Sequence, residues 1–175
     1  MEDGIVMSFP WNRSQGPYWM ESPPAAIIFD VRIVLSVNIK APIMKVWEAF
    51  VRPAERSRWW PEVMQIELRK GGLFFHSFYD DEGVEHYSYG HVMEIEEPFH
   101  LSFVISDEHG SGWINLTLSL EAQGNLTNLE VSCTSTEVGY SEDLIERYRE
   151  VWESLLAALK EYVEGGESPG NNIEQ

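Results

Sequence analysis

Apolar and polar side chains alternate between residues 31 and 40, with Val34 as the one exception, and this alternation is the first regular pattern in the chain. A period of two is typical of a strand with one buried face. A helix is predicted to start at Pro42, because proline is tolerated in a first helical turn and apolar residues then recur at helical spacing. Pro53 ends that helix, and a second short helical turn is predicted over 54–58.

Six further segments are rich in strand-forming residues and are separated by turn residues, so they predict six more strands. Their predicted ranges are 64–70, 73–79, 84–96, 101–106, 112–122 and 126–136. Short glycine-containing turns, such as Gly71-Gly72, favour pairing of consecutive strands in an antiparallel meander. A long helix with one apolar stripe follows, with Ser141 as its predicted N-cap and Gly165 at its end.

This order of elements predicts an α+β fold in which a curved seven-stranded antiparallel sheet wraps around the long C-terminal helix. Such a sheet cannot bury its concave face alone, and the last helix is the element able to cover it. We expect an irregular, proline-containing extension over 1–30, a single domain over 31–165 and a flexible tail over 166–175. The aromatic residues of the extension are expected to pack on the domain or on a second subunit: Phe9, Trp11, Tyr18 and Trp19.

Charge and cysteine content narrow the classes of partner. The chain has 12 Lys and Arg against 29 Asp and Glu, a net charge of −17 that repels nucleic acid and anionic membranes. Cys133 is the single cysteine, which excludes an internal disulfide and favours a reducing cytoplasm. No apolar run approaches the roughly 20 residues that cross a bilayer. We therefore expect a cytoplasmic protein that binds neither nucleic acid nor membrane.

Several segments resemble the activator of heat shock protein 90 ATPase homologue-like family. They are IKAPIMKVWEAF after the first strand, RWWP at 58–61, GGLFFHSFYD from Gly71, GHVMEIEEPFHLSF from Gly90 and VWESLLAALKEYV from Val151. The resemblance covers about residues 31–165 in the element order described above. It implies the helix-grip fold shared by START-like, polyketide-cyclase-like (SRPBCC) and Bet v-like domains.

In this architecture the expected site is a cavity between the sheet and the last helix. The candidate ligand-binding residues are mostly aromatic side chains and histidines: Trp47, Trp60, Phe74, His76, Phe78, Tyr87, Tyr89, His91, Met93, Trp113, Tyr148 and Trp152. In the third strand, two alternating sets of residues could face the cavity, and periodicity does not choose between them. One set is Phe74, His76 and Phe78, and the other is Phe75, Ser77 and Tyr79. The alternative role of the aromatic residues is plain core packing.

The phase of the fourth strand decides which of its candidates face the cavity. Glu94 and Glu96 share one face, and burying both carboxylates would be costly, so this face is expected to meet water. His91 and Met93 are then predicted to point inward together with Tyr87 and Tyr89, unless a bulge near Gly90 changes the phase.

No motif for nucleophilic catalysis or nucleotide binding is present, and the five histidines lack metal-ligand spacing. We therefore expect no metal and no cofactor. The nearest acid–base candidates are Glu94 with His91, Glu85 with His86, and the tyrosines of the fourth strand, and their spacing is generic.

Three functions remain, and the first is favoured. A hydrophobic small molecule, such as a lipid or an aromatic compound, is held in the cavity, with His76, His91, Tyr87 or Tyr148 orienting its polar end. The second function, implied by the family name, is a chaperone-associated interaction domain that uses its outer surface. The third is a cyclase or hydrolase with a cavity His, Tyr or Glu. We also expect a homodimer, because the aromatic extension and an exposed sheet edge offer contact surface.

Overall fold

A computed structural model describes residues 31–79, 82–107, 113–135 and 142–165 of the chain. The predictions for the N-terminal extension, for the cap at Ser141 and for the C-terminal tail concern residues outside these ranges. They therefore stay predictions.

The described residues form seven strands and three helices in the predicted order. The strands are β1 (Val31–Ile39), β2 (Val63–Ile66), β3 (Leu73–Tyr79), β4 (Glu85–Glu96), β5 (His100–Asp107), β6 (Trp113–Gln123) and β7 (Leu126–Ser135). The helices are α1 (Ile43–Val51), α2 (Pro53–Arg56) and α3 (Glu142–Gly165). One antiparallel sheet contains the strands in the order β1-β7-β6-β5-β4-β3-β2, so consecutive strands pair from β2 to β7 and β1 joins β7. The predicted α+β helix-grip fold is confirmed.

Two prolines determine where the two short helices begin. Pro42 is the extended residue before α1, and Pro53 is the first residue of α2. Helix α1 buries the apolar face predicted from its spacing, including Val46, Trp47 and Phe50. Because Arg52 between the helices is extended, the chain changes direction there and carries α2 toward the start of β2.

Strand β2 is shorter than predicted, because the chain turns over residues 67–72. The Gly72 amide donates to the Arg69 carbonyl at 2.8 Å, and Gly71 takes a φ of 72°, which only glycine adopts readily. Strand β4 then pairs with β3 in a register that places Phe74 opposite Gly90. This register brings the aromatic residues of β3 into the centre of the sheet.

Helix α3 lies over the concave face and is fixed mainly at its C-terminal end. Lys160 Nζ donates to the Asn38 carbonyl of β1 at 2.8 Å, and Lys45 Nζ of α1 donates to the Val163 carbonyl at 2.7 Å. The backbone of α3 approaches β1 and α1 more closely than it approaches the strands at the other side of the sheet. Over β3 to β6, large side chains therefore bridge the space between helix and sheet.

Candidate ligand-binding site

The segment between α2 and β2 places two adjacent tryptophans in the core. The Trp59 indole N–H donates to the Ala49 carbonyl of α1 at 2.9 Å, which holds this ring against the helix. The Trp60 ring instead lies 6.0 Å from that of Trp152 and 5.9 Å from that of His76, both edge to face. The two adjacent tryptophans thus contact different parts of the core, and Trp60 reaches the sheet through His76.

A buried arginine fixes this segment in place. Arg56 Nη1 donates to the Phe50 carbonyl at 2.9 Å, and Nη2 donates to the Met64 carbonyl at 2.6 Å. These bonds connect the end of α1 to β2. Burial lowers the pKa of the Arg56 guanidinium from its usual value. The arginine therefore positions the residues between it and β2, including Trp60 and Glu62.

Glu62 and His76 form a buried carboxylate–imidazole pair. Glu62 Oε2 lies 2.6 Å from His76 Nε2, and the side chains are 10% and 4% exposed. A buried carboxylate is costly unless it is paired, so His76 stabilises Glu62 in this position. The second carboxylate oxygen, Oε1, is also buried and has no hydrogen-bond partner within the described ranges.

Beside His76, a small cavity lies between the sheet and α3, and we call it the inner cavity. It is lined by Trp60, Met64, Phe74, His76, Ser88, Ile105, Ser106, Ile114, Leu116, Tyr148 and Trp152. Its volume is about 30 Å³, which is about the space of one water molecule. Sites for drug-sized ligands are roughly ten times larger. Aromatic side chains thus fill most of the space predicted under α3.

Two residues that line the inner cavity carry buried polar groups that the protein does not satisfy. The indole N–H groups of Trp60 and Trp152 have no hydrogen-bond partner in the part of the chain that the structure describes. Each unsatisfied buried polar group costs about 1–3 kcal/mol. The Trp60 ring contacts those of Trp152 and His76, and His76 is bonded to Glu62, so the two indole groups and Glu62 Oε1 form a polar cluster beside the inner cavity. Such a cluster requires an explanation beyond packing.

The candidate residues separate into three groups. Five of them line the inner cavity: Trp60, Phe74, His76, Tyr148 and Trp152. Trp47 and Phe78 are buried without lining it, and Phe78 stacks between His76 and His86 at 5.5 Å from each ring. In β3 the structure therefore chooses the set that contains Phe74. The ligand-binding role of these residues stays a prediction.

The inward orientation predicted for Tyr87, Tyr89, His91 and Met93 is wrong. Their side chains are exposed on the outer, convex face of the sheet, whereas Ser88, Gly90 and Val92 face inward. The cause is a bulge in β4, where the register shifts between Val92 and Glu94. A bulge inserts one extra residue into a strand. The alternation that starts from the outward Glu94 and Glu96 therefore assigns the wrong face to the residues of β4 before the bulge.

Trp113 is a second correction. It was expected to add an aromatic wall to the cavity, but its side chain is 49% exposed. Ile114, Leu116 and Leu118 are the buried residues of β6, so Trp113 lies on the opposite face of that strand.

Glu62 and Arg56 are the site residues that the sequence analysis missed. Glu62 follows Pro61 and precedes a short strand, where a charged residue is usually solvated. A weak signal was present, because the RWWPE segment places this carboxylate next to two tryptophans. His76 was a candidate, but its partner became visible only through the β2–β3 register, which pairs Met64 with His76.

A second, larger space lies outside the sheet, between α1, α2 and the end of α3. It has a volume of about 220 Å³ and is lined by Lys45, Ala49, Glu55, Arg58, Tyr162 and Val163. The Tyr162 hydroxyl donates to Glu55 Oε2, and burial together with this carboxylate raises the pKa of Tyr162. The cleft is polar and is already crossed by the bond from Lys45 to Val163.

Among the residues that the structure describes, the remaining reactive groups do not form a metal or thiol centre. Within the described ranges, no group of three or more His, Cys, Asp or Glu side chains is placed to hold a metal ion. Burial raises the pKa of Cys133 to about 12, while the neighbouring Trp152 indole, which does not reach hydrogen-bond geometry, lowers it slightly. The thiol therefore stays protonated. Among the described helices, none combines the length and the apolar character needed to cross a bilayer.

Comparison with known proteins agrees with the fold described above. Residues 40–164 match the family described as "Activator of Hsp90 ATPase homolog 1-like protein". No curated protein matches the sequence.

Solved structures also share the fold. CalU16 from Micromonospora echinospora has 24% identity and a TM-score of 0.62, with 78% of each chain covered. A protein from Arthrobacter aurescens has 20% identity and a TM-score of 0.64, with 82% of this chain and 92% of that chain covered. DynU16, from the dynemicin biosynthetic locus, has 20% identity and a TM-score of 0.65, and the match covers 78% of this chain but 48% of DynU16. At these identities the likeness shows the fold alone.

Proposed function

Because the chain belongs to the family of Activator of Hsp90 ATPase homolog 1-like proteins, whose fold commonly binds small hydrophobic ligands, we propose that it binds a hydrophobic or aromatic small molecule between the sheet and α3. The observation that carries this proposal is the cluster of unsatisfied polar groups at the inner cavity. A core that served only stability would gain from apolar side chains at these positions. A ligand with one polar end explains why the cluster is kept.

In this proposal the polar end of the ligand lies deepest, where it bonds the unsatisfied polar groups. Glu62 Oε1 accepts a hydrogen bond, whereas the indole groups of Trp60 and Trp152 donate. A hydroxyl or an amide on the ligand can satisfy both kinds of group. The apolar body of the ligand then lies against Phe74, Ile114 and the other apolar residues of the wall, where burial stabilises it by about 25 cal/mol per Å².

Entry of such a ligand requires the inner cavity to expand. Tyr148 and Trp152 are one helical turn apart on α3 and line the same wall. Tyr148 is half-buried, and the close contacts of α3 with β1 and α1 lie away from this wall. Movement of these two side chains toward solvent is therefore the least disruptive way to open the cavity.

A ligand screen tests the proposal directly. We expect a member of a panel of fatty acids, sterols and aromatic polyketides to raise the melting temperature and to change the fluorescence of the buried tryptophans, because binding to the folded state stabilises it. If no class in the panel does either at saturating concentration, the proposal loses its support.

Two pairs of variants locate the binding site. Glu62→Gln and His76→Gln should weaken binding by about tenfold, the effect of one lost hydrogen bond to a charged group. The matched controls are Glu94→Gln and His100→Gln, which alter a His–Glu pair on the outer face, 3.5 Å apart, with side chains that are 70% and 29% exposed. Equal losses in both pairs, or no loss in the first, would place the ligand elsewhere.

The same buried pair supports a second candidate function, a cyclase or hydrolase. A carboxylate that orients an imidazole is a common arrangement for general acid–base catalysis. If a bound compound is also converted, turnover should be lost in His76→Gln even at concentrations that saturate the weakened site. Turnover that survives this substitution excludes His76 as the base.

A further inference from the structure

The outer face of the sheet carries an apolar surface that the small-molecule proposal does not use, and we call it the outer patch. It consists of Leu73, Phe75, Tyr89, Met93 and Trp113. Leu73 is 56% exposed, and Met93, Trp113 and Tyr89 are each nearly half-exposed. Contiguous exposed apolar surface on a folded domain marks a contact site more often than scattered apolar residues do.

Strand register makes the outer patch continuous. Phe75 pairs with Tyr89, Tyr89 pairs with Ser106, and Ser106 pairs with Trp113. These four residues form one row across β3, β4, β5 and β6. Leu73 lies two residues from Phe75 on the same face, and Met93 is the residue that the bulge turns outward. The row is thus an apolar strip that runs across the sheet toward β7.

The strip lies in line with the start of β1, where the N-terminal segment joins the sheet. Val31 pairs with Ser135, and Ser135 pairs with Ile114, the residue after Trp113. The chain therefore enters β1 at the level of the strip, two strands away from Trp113. With strands about 4.8 Å apart, β4 lies about 19 Å from β1. Ten extended residues can span about 33 Å, so residues 1–30 can reach the whole strip.

Two occupants of the strip are compared here, residues 1–30 and a second copy of the domain. The chemistry of residues 1–30 fits the strip better. The segment contains Phe9, Trp11, Tyr18 and Trp19, which are interspersed with prolines. Two copies of a chain with a net charge of −17 repel each other. A tethered segment instead has a high effective concentration at its own domain and needs no partner molecule.

We propose that the N-terminal segment of the chain docks on the outer patch of its own sheet through these aromatic residues. In this arrangement the segment covers Met93 and Tyr89 and leaves the inner cavity accessible. The proposal does not depend on ligand binding, since the two surfaces lie on opposite faces of the sheet.

Hydroxyl-radical footprinting of the full chain tests the docking, because it reads the solvent exposure of individual methionines. Met93 is compared with Met44 of α1, which is a matched control: the side chains are 46% and 42% exposed. The comparison chain carries Phe9→Ser, Trp11→Ser, Tyr18→Ser and Trp19→Ser. We expect Met93 to oxidise several-fold faster in this variant than in the native chain, and Met44 to oxidise at the same rate in both.

Equal rates for Met93 in the two chains would overturn the proposal. Protection of Met93 that disappears on dilution would also overturn it, because it would show that a second copy covers the patch. Protection that persists on dilution supports the docking of the chain's own segment. Unchanged circular dichroism in the variant confirms that the domain itself is folded.

Discussion

The two faces of the sheet carry similar residues in opposite surroundings. Each face has a His–Glu pair: Glu62 and His76 are buried and 2.6 Å apart, whereas Glu94 is exposed, His100 is half-buried, and these two lie 3.5 Å apart. Each face also has aromatic residues, but those on the inner face pack around a cavity, and those on the outer face lie at the surface. Surroundings, not residue type, therefore separate the candidate site from the rest of the sheet.

This difference has an energetic basis. An exposed ion pair is solvated and contributes at most about 1 kcal/mol. A buried pair loses solvation, so each partner depends on the other, and any unsatisfied atom has a cost. Four predictions follow, from the largest expected effect to the smallest, and the first two use matched positions on the two faces to test this contrast.

The largest effect is expected from truncation of a buried aromatic residue. Trp152→Ala should lower the free energy of unfolding by about 4 kcal/mol, because it removes a large side chain that fills the space under α3. Trp113→Ala on the outer face should cost about 1 kcal/mol or less. Denaturant unfolding of both variants measures the difference. Similar losses at the two positions would contradict the contrast between the faces.

Removal of one partner from the buried pair should have the next largest effect. His76→Ala leaves the Glu62 carboxylate buried without its partner, and we expect a loss of about 3 kcal/mol. The double variant His76→Leu/Glu62→Leu should recover most of this loss, because it removes the charge as well. His100→Ala is the control in the outer pair, where the Glu94 partner stays solvated, and should change stability by less than about 0.5 kcal/mol. A double variant no more stable than His76→Ala would argue against a buried charge.

A smaller loss is expected where β4 and β5 approach each other closely. A Cβ atom at Gly90 would lie 1.9 Å from the Val104 carbonyl oxygen. Gly90→Ala should therefore shift the strands apart and lower stability by about 2 kcal/mol. Gly165→Ala is the control, because nothing lies within 4 Å of its added Cβ. Thermal unfolding at one scan rate compares the two, and a neutral Gly90→Ala would disprove this close approach.

The smallest effect concerns the pH dependence of stability. Burial raises the pKa of Cys133 from 9.0 to about 12, so the thiol ionises above pH 9 in the unfolded chain but not in the folded one. The unfolded state then holds fewer protons, and stability falls as pH rises from 9 toward 12, by about 1 kcal/mol at pH 10. Cys133→Ala should show a shallower fall over this window. Identical pH profiles would exclude this contribution.

Local pattern was enough to predict much of the fold. The alternation in β1, the prolines around α1 and the turn at Gly71-Gly72 act over a few residues, and each element formed where it was predicted. Local pattern did not predict the end of β2 or the inward-facing residues of β4. Both depend on how a strand meets its neighbour, and the bulge between Val92 and Glu94 is defined only by pairing with β5.

Part of the candidate site was also predictable from the chain. Trp60, Phe74, His76, Tyr148 and Trp152 were candidates, because aromatic residues at strand and helix spacing tend to face a core. Their partners were not predictable in the same way, since contacts with residues distant in the chain carry no local signal.

The order of elements and the antiparallel pairing of neighbouring strands follow from the amino-acid sequence, because backbone preferences and apolar periodicity act locally. The Glu62–His76 pair, the small volume left under α3 and the outward position of Tyr89 and Met93 required the assembled tertiary structure. They depend on strand register and on the volumes of side chains from separate elements, and no single stretch of sequence specifies either quantity.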